Sequence, residues 1–361
     1  MEQNPHRSYV EQWTLNIQRE LFPTFTITAG YVGSHGVHLP THTDDVNHFL
    51  PIQTSAGFLW PTTGAVETNS NPGVGQISAL MWAASSTYHG LNVQAIKRLS
   101  HGVQIQGSYT FSKSIDTSSS GIAGDTFGNS VSSLFWFNPG LRRGLSDFDV
   151  RHVAAINGLW LIPGPQMWSP APKWVVSGWQ LGGIYTVASG LPFTPTIGGD
   201  PLGVKSPGGE NFDFPNRTAG CNPVNGNFRT SGTLSYINLT CFTPPTAPSS
   251  VTGCTPFSGV SNTCANLLGS SGRNTAIGPG LSDFDFSLFK NNPIHRISEG
   301  FNVQFRWEVF NIFNRANYNP PNKANRNVLN PDGTTNNIAG RLTSPTTTSS
   351  RQMQFALKFI W

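Results

Sequence analysis

Charge is what this sequence has least of. Asp, Glu, Lys and Arg make up only 11% of the 361 residues, where an ordinary soluble domain carries roughly 25%. Long apolar runs are missing as well. Nothing approaches the roughly 18 uninterrupted apolar residues of a spanning helix, and the mean hydropathy is -0.22. A helical membrane protein is thereby excluded. A β-barrel is not, because its strands alternate lipid-facing and lumen-facing residues and average to neutral hydropathy. Large side chains are plentiful, with 37% hydrophobic and 11% aromatic residues, which excludes disorder on composition. Polarity comes instead from Ser, Thr, Asn, Gln and 38 glycines.

The signatures of catalysis and of metal or nucleotide binding are also missing. Neither a P-loop nor a Rossmann fingerprint occurs. His35 with His38, and His42 with His48, form no HExxH or similar metal frame. Gly33-Ser34-His35-Gly36 lacks the glycine a nucleophile elbow needs two residues ahead of its serine, where Val32 stands. Asp147 with Asp149, and Asp283 with Asp285, have no EF-hand spacing around them and are expected to be polar residues where loops return to strands. The expectation is a protein that is not an enzyme and carries no cofactor or metal. The net charge is +4, but the basic residues are scattered singly or in pairs such as Arg142-Arg143, so no nucleic-acid partner is expected. Met1 to His6 show neither a basic n-region nor an apolar h-region, so no signal peptide is expected here.

What is present is alternation with period two. Val103, Ile105, Gly107, Tyr109 and Phe111 oppose Gln104, Gln106, Ser108, Thr110 and Ser112. The same pattern sets Trp13, Leu15 and Ile17 against Thr14, Asn16 and Gln18, and Phe25, Ile27, Ala29 and Tyr31 against Thr24, Thr26, Thr28 and Gly30. It recurs at Leu91–Ala95, Trp179–Val187, Phe301–Val309 and Met353–Trp361, and more weakly at Val150–Ile162 and Phe284–Leu288. These make about nine strands of membrane-crossing length. Short links (Leu21 to Thr24, Leu99 to Gly102, Pro163 to Lys173, Asn291 to Gly300) interleave with long ones (Ser34 to Ser86, Ser114 to Phe148, Gly190 to Gly280, Asn311 to Ser350). Short turns at one end and long loops at the other are the plan of a transmembrane barrel. The fold class is therefore all-β: an antiparallel transmembrane β-barrel, here a partial barrel with long external loops.

If Trp361 ends in the periplasm, alternation makes the strand at Trp13 run downward from an external start. The whole chain, 1–361, is accordingly expected to be the C-terminal part of a larger barrel domain, an open sheet with edges near Trp13 and Phe355. Gly144-Leu145-Ser146-Asp147-Phe148-Asp149 returns as Gly280-Leu281-Ser282-Asp283-Phe284-Asp285, and both copies are expected at loop-to-strand junctions.

Three groups of residues stand out. Phe355, Leu357, Phe359 and Trp361 close the chain in the pattern that outer-membrane barrel assembly machinery reads on a last strand. Cys221, Cys241, Cys254 and Cys264 all lie in the longest loop with no CxxC pair, which points to two disulfides in an oxidising compartment rather than zinc. Three pairings are possible, and neighbour pairing, Cys221 with Cys241 and Cys254 with Cys264, is the expectation. Arg306 and Glu308 share a face opposite Trp307, so in a barrel they point into the lumen, to contact a plug or solute or simply to pair.

Several runs together resemble the barrel of TonB-dependent outer-membrane receptors of the Oar-like branch. They are Gln12-Trp13-Thr14-Leu15-Asn16-Ile17-Gln18-Arg19-Glu20, Gly30-Tyr31-Val32-Gly33-Ser34-His35-Gly36 and Gly107-Ser108-Tyr109-Thr110-Phe111-Ser112-Lys113-Ser114. Gly272-Arg273-Asn274 through Gly278-Pro279-Gly280, and Glu308-Val309-Phe310-Asn311-Ile312-Phe313-Asn314-Arg315, extend the likeness over nearly the whole chain. The resemblance implies a large barrel in outer-membrane lipid, filled by an N-terminal plug and driven by the TonB complex, and admitting a solute such as a carbohydrate or metal chelate. Neither a plug nor the regulatory-like domain that often precedes one is recognisable in 1–361, so contact with TonB would run through a plug this chain lacks. Phe58, Trp60, Trp82, Phe135 and Trp136 are candidates for touching solute or for packing the loops on one another. The alternatives are an outer-membrane adhesion or structural barrel without transport, and a soluble β-sandwich.

Overall fold

The computed structural model describes residues 5–361 apart from 44, 62–69, 72, 76, 121–134, 165–172, 205–212, 231 and 344. Nine long strands carry the architecture: β1 (Tyr9–Phe22), β2 (Phe25–Thr43), β3 (Ala79–Ser100), β4 (Val103–Asp116), β5 (His152–Leu161), β6 (Trp179–Ala188), β7 (Leu281–Pro293), β8 (Asn302–Phe310) and β9 (Gln352–Ile360). They form one sheet in chain order, each antiparallel to the next, with the short piece Gly144–Leu145 added beside the end of β4. Among the described residues β1 and β9 pair with no further strand, so the sheet is open.

Pairing carries the alternation of the sequence across the sheet. Ile17, Ala29, Val93, Tyr109, Ala154 and Val187 form one continuous row on one face. Asn16, Gly30, Asn92 and Thr110 form the neighbouring row on the other, where the Thr110 hydroxyl donates to Asn92 Oδ1 at 2.9 Å. Further on, Leu288, Trp307 and Phe355 share a row on the apolar face, and Ser287, Glu308 and Gln354 a row on the polar face. A one-residue slip would exchange the two faces, so the pattern fixes the register.

The molecule is inside out. Of the buried hydrophobic side chains among the described residues, only Ala84 and Val309 belong to the nine long strands. Leu15, Ile17 and Leu357 are instead 64, 65 and 62% exposed. Each such side chain left in water forgoes about 1.5–3 kcal/mol, and a band of them this broad is the mark of a lipid-facing surface. Aromatic girdles bound the band. Trp13, Tyr31, Tyr109, Phe111 and Tyr185 stand near the long-loop end, and Phe22, Trp160 and Trp179 near the short-turn end. Two lysines on the apolar face bend back to that lower edge. Lys97 Nζ donates to Val103 O at 2.7 Å and Lys290 Nζ to Asn292 Oδ1 at 2.6 Å, which keeps both charges out of the apolar layer.

The turns are short where expected. His101 and Gly102 close the β3–β4 hairpin with φ of 51° and 77°, the backbone of a two-residue turn that matches strand twist. A Cβ on Gly102 would stand 2.8 Å from Leu161 O. Residues 165–172 of the expected turn from Pro163 to Lys173 lie outside the described residues. The long β2 and β3 differ from the sequence reading, which had a loop from Ser34 to Ser86. Pairing continues to Thr43 and Ala79 through register shifts between Gly36 and Leu39 and between Leu39 and Thr41. Such bulges erase the period-two signal without ending the strand.

Candidate functional site: the loop cap and the polar face

All four long connections emerge at one end, and there they fold on one another. Phe193, Ile197, Tyr236, Phe242, Val328 and Leu329 form one core between the β6–β7 and β8–β9 connections. Thr196–Ile197 also pairs in parallel with Asn327–Leu329. Trp60, Phe135, Leu202, Val204 and Phe214 form a second core from three connections. The apolar interior of this protein lies in its loops because its strands give their apolar side chains to lipid.

Two disulfides staple the β6–β7 connection: Cys221–Cys241, with Cα atoms 5.5 Å apart, and Cys254–Cys264, at 5.0 Å. Cys241 and Cys264 are fully buried and sit in the apolar clusters they close. Among the described residues no group of three or more His, Cys, Asp or Glu is placed to hold a metal.

A buried ionic hub ties the cap to the wall. Arg273 Nη1 donates to Asp116 Oδ1 at 2.7 Å and to Arg142 O at 3.1 Å. Its Nη2 donates to Ser119 Oγ at 2.6 Å and to Asp147 Oδ1 at 3.1 Å. Asn274 completes the shell, donating to Asp147 Oδ1 and Leu145 O, both at 2.7 Å. Burial pulls the Arg273 guanidinium pKa down, but Asp147 and Asp116 more than reverse it, so the net shift is upward. Nearby Arg142 moves the other way, to about 10, through burial and then the Arg273 charge.

This hub corrects the reading of the repeated GLSDFD segment. In the first copy Asp147 is 1% exposed and serves Arg273. Asp149 accepts from Ser114 N at 2.6 Å, and β5 begins only at His152. These aspartates are cap anchors rather than polar strand starts. The second copy does run into a strand: Asn317 Oδ1 accepts from Ser282 N at 3.0 Å and Asp285 Oδ1 from Asn311 N at 2.9 Å. Sequence reasoning missed Arg273 as a centre. Its only signal was the Gly272-Arg273-Asn274 run, which gave no hint of the partners 157 and 126 residues away.

Of the two readings of the aromatic loop residues, the packing one holds for Trp60 and Phe135. Trp60 and Phe135 are 2% and 1% exposed, with ring centroids 5.8 Å apart, so they join loops rather than present themselves to a solute. Trp82 lies on β3. His48, Trp60, Phe135, Trp136 and Phe137 line a small apolar cleft. Burial pulls the His48 pKa down, against the pull of Asp45 and Asp200.

On the polar face, Arg306 Nε donates to Gln304 Oε1 at 2.6 Å and the guanidinium lies 5.4 Å over the Phe289 ring. Glu308 Oε2 accepts from Gln354 Nε2 at 2.6 Å. Arg306 and Glu308 share this face without forming an ion pair with each other. On the opposite face of the last strand, Phe355 stacks on Trp307 at 6.2 Å, Leu357 is paired to Phe305 and Phe359 to Val303, and Trp361 stands just beyond the strand, 87% exposed.

An antiparallel wall greasy on one side and polar on the other, girdled by aromatics and capped at one end by long loops, defines an outer-membrane β-barrel protein. The chain belongs to the outer membrane beta-barrel domain family, which matches residues 1–354, and its place is the outer membrane. No curated protein matches the chain.

Proposed function

We propose that this chain supplies part of the wall and the external cap of a TonB-dependent outer-membrane transporter. In this reading it passes a solute of the carbohydrate or metal-chelate class by movement of a plug, with no covalent chemistry and no cofactor. The observation that carries the reading is the parity of the open sheet. With nine strands, β1 and β9 both run from the cap end toward the short-turn end. They cannot pair antiparallel with each other, and two copies inserted the same way meet the same obstacle. An all-antiparallel wall closes with an odd number of further strands, and where these bring it to the roughly 22 strands of an outer-membrane transporter its lumen holds a plug. Arg306, Glu308 and Lys358, on the polar face, would then line the space between wall and plug. The plug would carry the contact to TonB, and Phe355, Leu357, Phe359 and Trp361 would be read by the barrel assembly machinery.

The alternative, an adhesion barrel without transport, draws on a cap stapled by two disulfides and presenting Ser, Thr and Asn to the outside. Comparing nutrient depletion by a strain lacking this gene with that of a strain lacking TonB separates the two. A solute left unused by both supports transport. Uptake that is intact without the gene, together with lost surface attachment, replaces it with adhesion.

A further inference from the structure

We infer that the outward rim of β2 to β5 binds the phosphate of an outer-leaflet lipid headgroup, through His89, Lys113 and His152 held by Tyr31 and Tyr109. Two tyrosine–histidine pairs repeat across this face. Tyr31 Oη is 2.7 Å from His89 Nδ1 and Tyr109 Oη 2.8 Å from His152 Nδ1. The rings stack in each pair, with centroids 6.2 Å apart. Each tyrosine sits on a strand rising toward the cap, and its histidine on the next strand, two residues above the tyrosine's own register partner: Leu91 for Tyr31, Ala154 for Tyr109. Tyr185 repeats the placement with Ser282 Oγ, at 3.2 Å. The tyrosines therefore mark one level, the upper edge of the apolar band, and the histidines stand just above it, where hydrocarbon gives way to headgroups.

The chemistry at that level suits an anion. If the tyrosine hydroxyl donates to Nδ1, the imidazole carries its proton on Nε2. If Nδ1–H donates to the tyrosine oxygen, the hydroxyl keeps its own proton to give. Either tautomer leaves each pair one donor for a ligand. Lys113 lies between the pairs. It is exposed and in direct register with His89. It is also two residues above Phe111, whose ring is 5.1 Å from that of His152. Strands about 4.8 Å apart put one ammonium and two imidazoles within the span of a phosphate monoester and its sugar. Among the described residues, Glu11 is the only carboxylate on this face of β1 to β5 from the tyrosine row upward. It pairs in register with His35, three strands from Lys113. The apolar band continues directly below, so the occupant that fits both parts is a phosphorylated lipid, its chains on the band and its phosphate on the rim. The site is independent of whether the barrel transports.

The test uses the gene product moved from outer membranes into nanodiscs doped with diphosphorylated or dephosphorylated lipid A, with bound lipid read by native mass spectrometry. Wild type should hold the phosphorylated form at least tenfold better. The triple variant His89→Ala, Lys113→Ala, His152→Ala should lose that preference, and Lys113→Arg and the polar-face control Lys358→Gln should keep it. Protease resistance of the cap checks that each variant is folded. A folded triple variant with wild-type preference overturns the proposal, as does equal binding of the two lipids or full displacement by millimolar inorganic phosphate. If the triple variant does not fold, the single variant Lys113→Gln, on an exposed side chain, decides by the same preference.

Discussion

The Arg273 guanidinium meets the Asp116 carboxylate at 2.7 Å across 157 residues of chain, with both side chains at most 3% exposed. One contact thus joins the connection ahead of β7 to the top of β4, and Asp147 brings in the β4–β5 connection. Arg273→Met strands two buried carboxylates and is expected to cost about 3–5 kcal/mol. The measurement is thermal unfolding together with limited proteolysis, and the cut sites should fall in the cap. Adding Asp116→Leu and Asp147→Leu should recover part of the loss, because the two carboxylates no longer stand unpaired while the buried Arg142 charge remains.

The cap also carries a pH response. His48 is held neutral by burial, with its pKa below the ordinary 6.5. As pH falls through 6.5 the unfolded chain takes up a proton that the folded chain refuses, so cap stability declines. The decline ends below the lowered folded value, where both states are protonated. Proteolysis of the cap between pH 8 and 5 should quicken in wild type, and the His48 share of that change should vanish in His48→Gln.

Each disulfide closes a loop of cap and is expected to contribute about 2–4 kcal/mol. Cys254→Ser with Cys264→Ser should loosen the segment around Leu59 and Leu267, with which that pair clusters. Circular dichroism of the sheet should stay as it was, since β1 to β9 include no cysteine.

Gly33 lies under the Trp13 ring, where a Cβ would fall 2.2 Å from an indole atom. Gly33→Val should displace the indole and destabilise the β1–β2 edge by about 1–3 kcal/mol. The readout is the heat-dependent shift of the folded band on a gel, and Trp13→Ala in the same chain should relieve most of it.

The two faces of β9 predict opposite tolerances. Leu357→Arg places a cation on the lipid side and should cost about 2–4 kcal/mol near the membrane midplane, seen as a lower level in the outer membrane. Ala356→Arg, paired with Arg306 on the polar face, should reach the membrane at close to the wild-type level.

The sequence by itself determined the wall. Period-two alternation follows from the pleat, which sends successive side chains to opposite faces, so Leu15, Tyr109 or Phe355 announced a face before any partner was known. The strand number, the short and long connections and the lipid side all follow from that local rule. Tertiary structure alone decided the rest. β2 and β3 extend past their alternating segments because paired neighbours hold them through bulges. The cap exists because Arg273, Asp116 and Asp147, and likewise Trp60, Phe135 and Phe214, meet from connections far apart in sequence. No local pattern records such a meeting: a buried charge or ring is placed by the partners that desolvate it, and those partners come together only when the whole chain has folded.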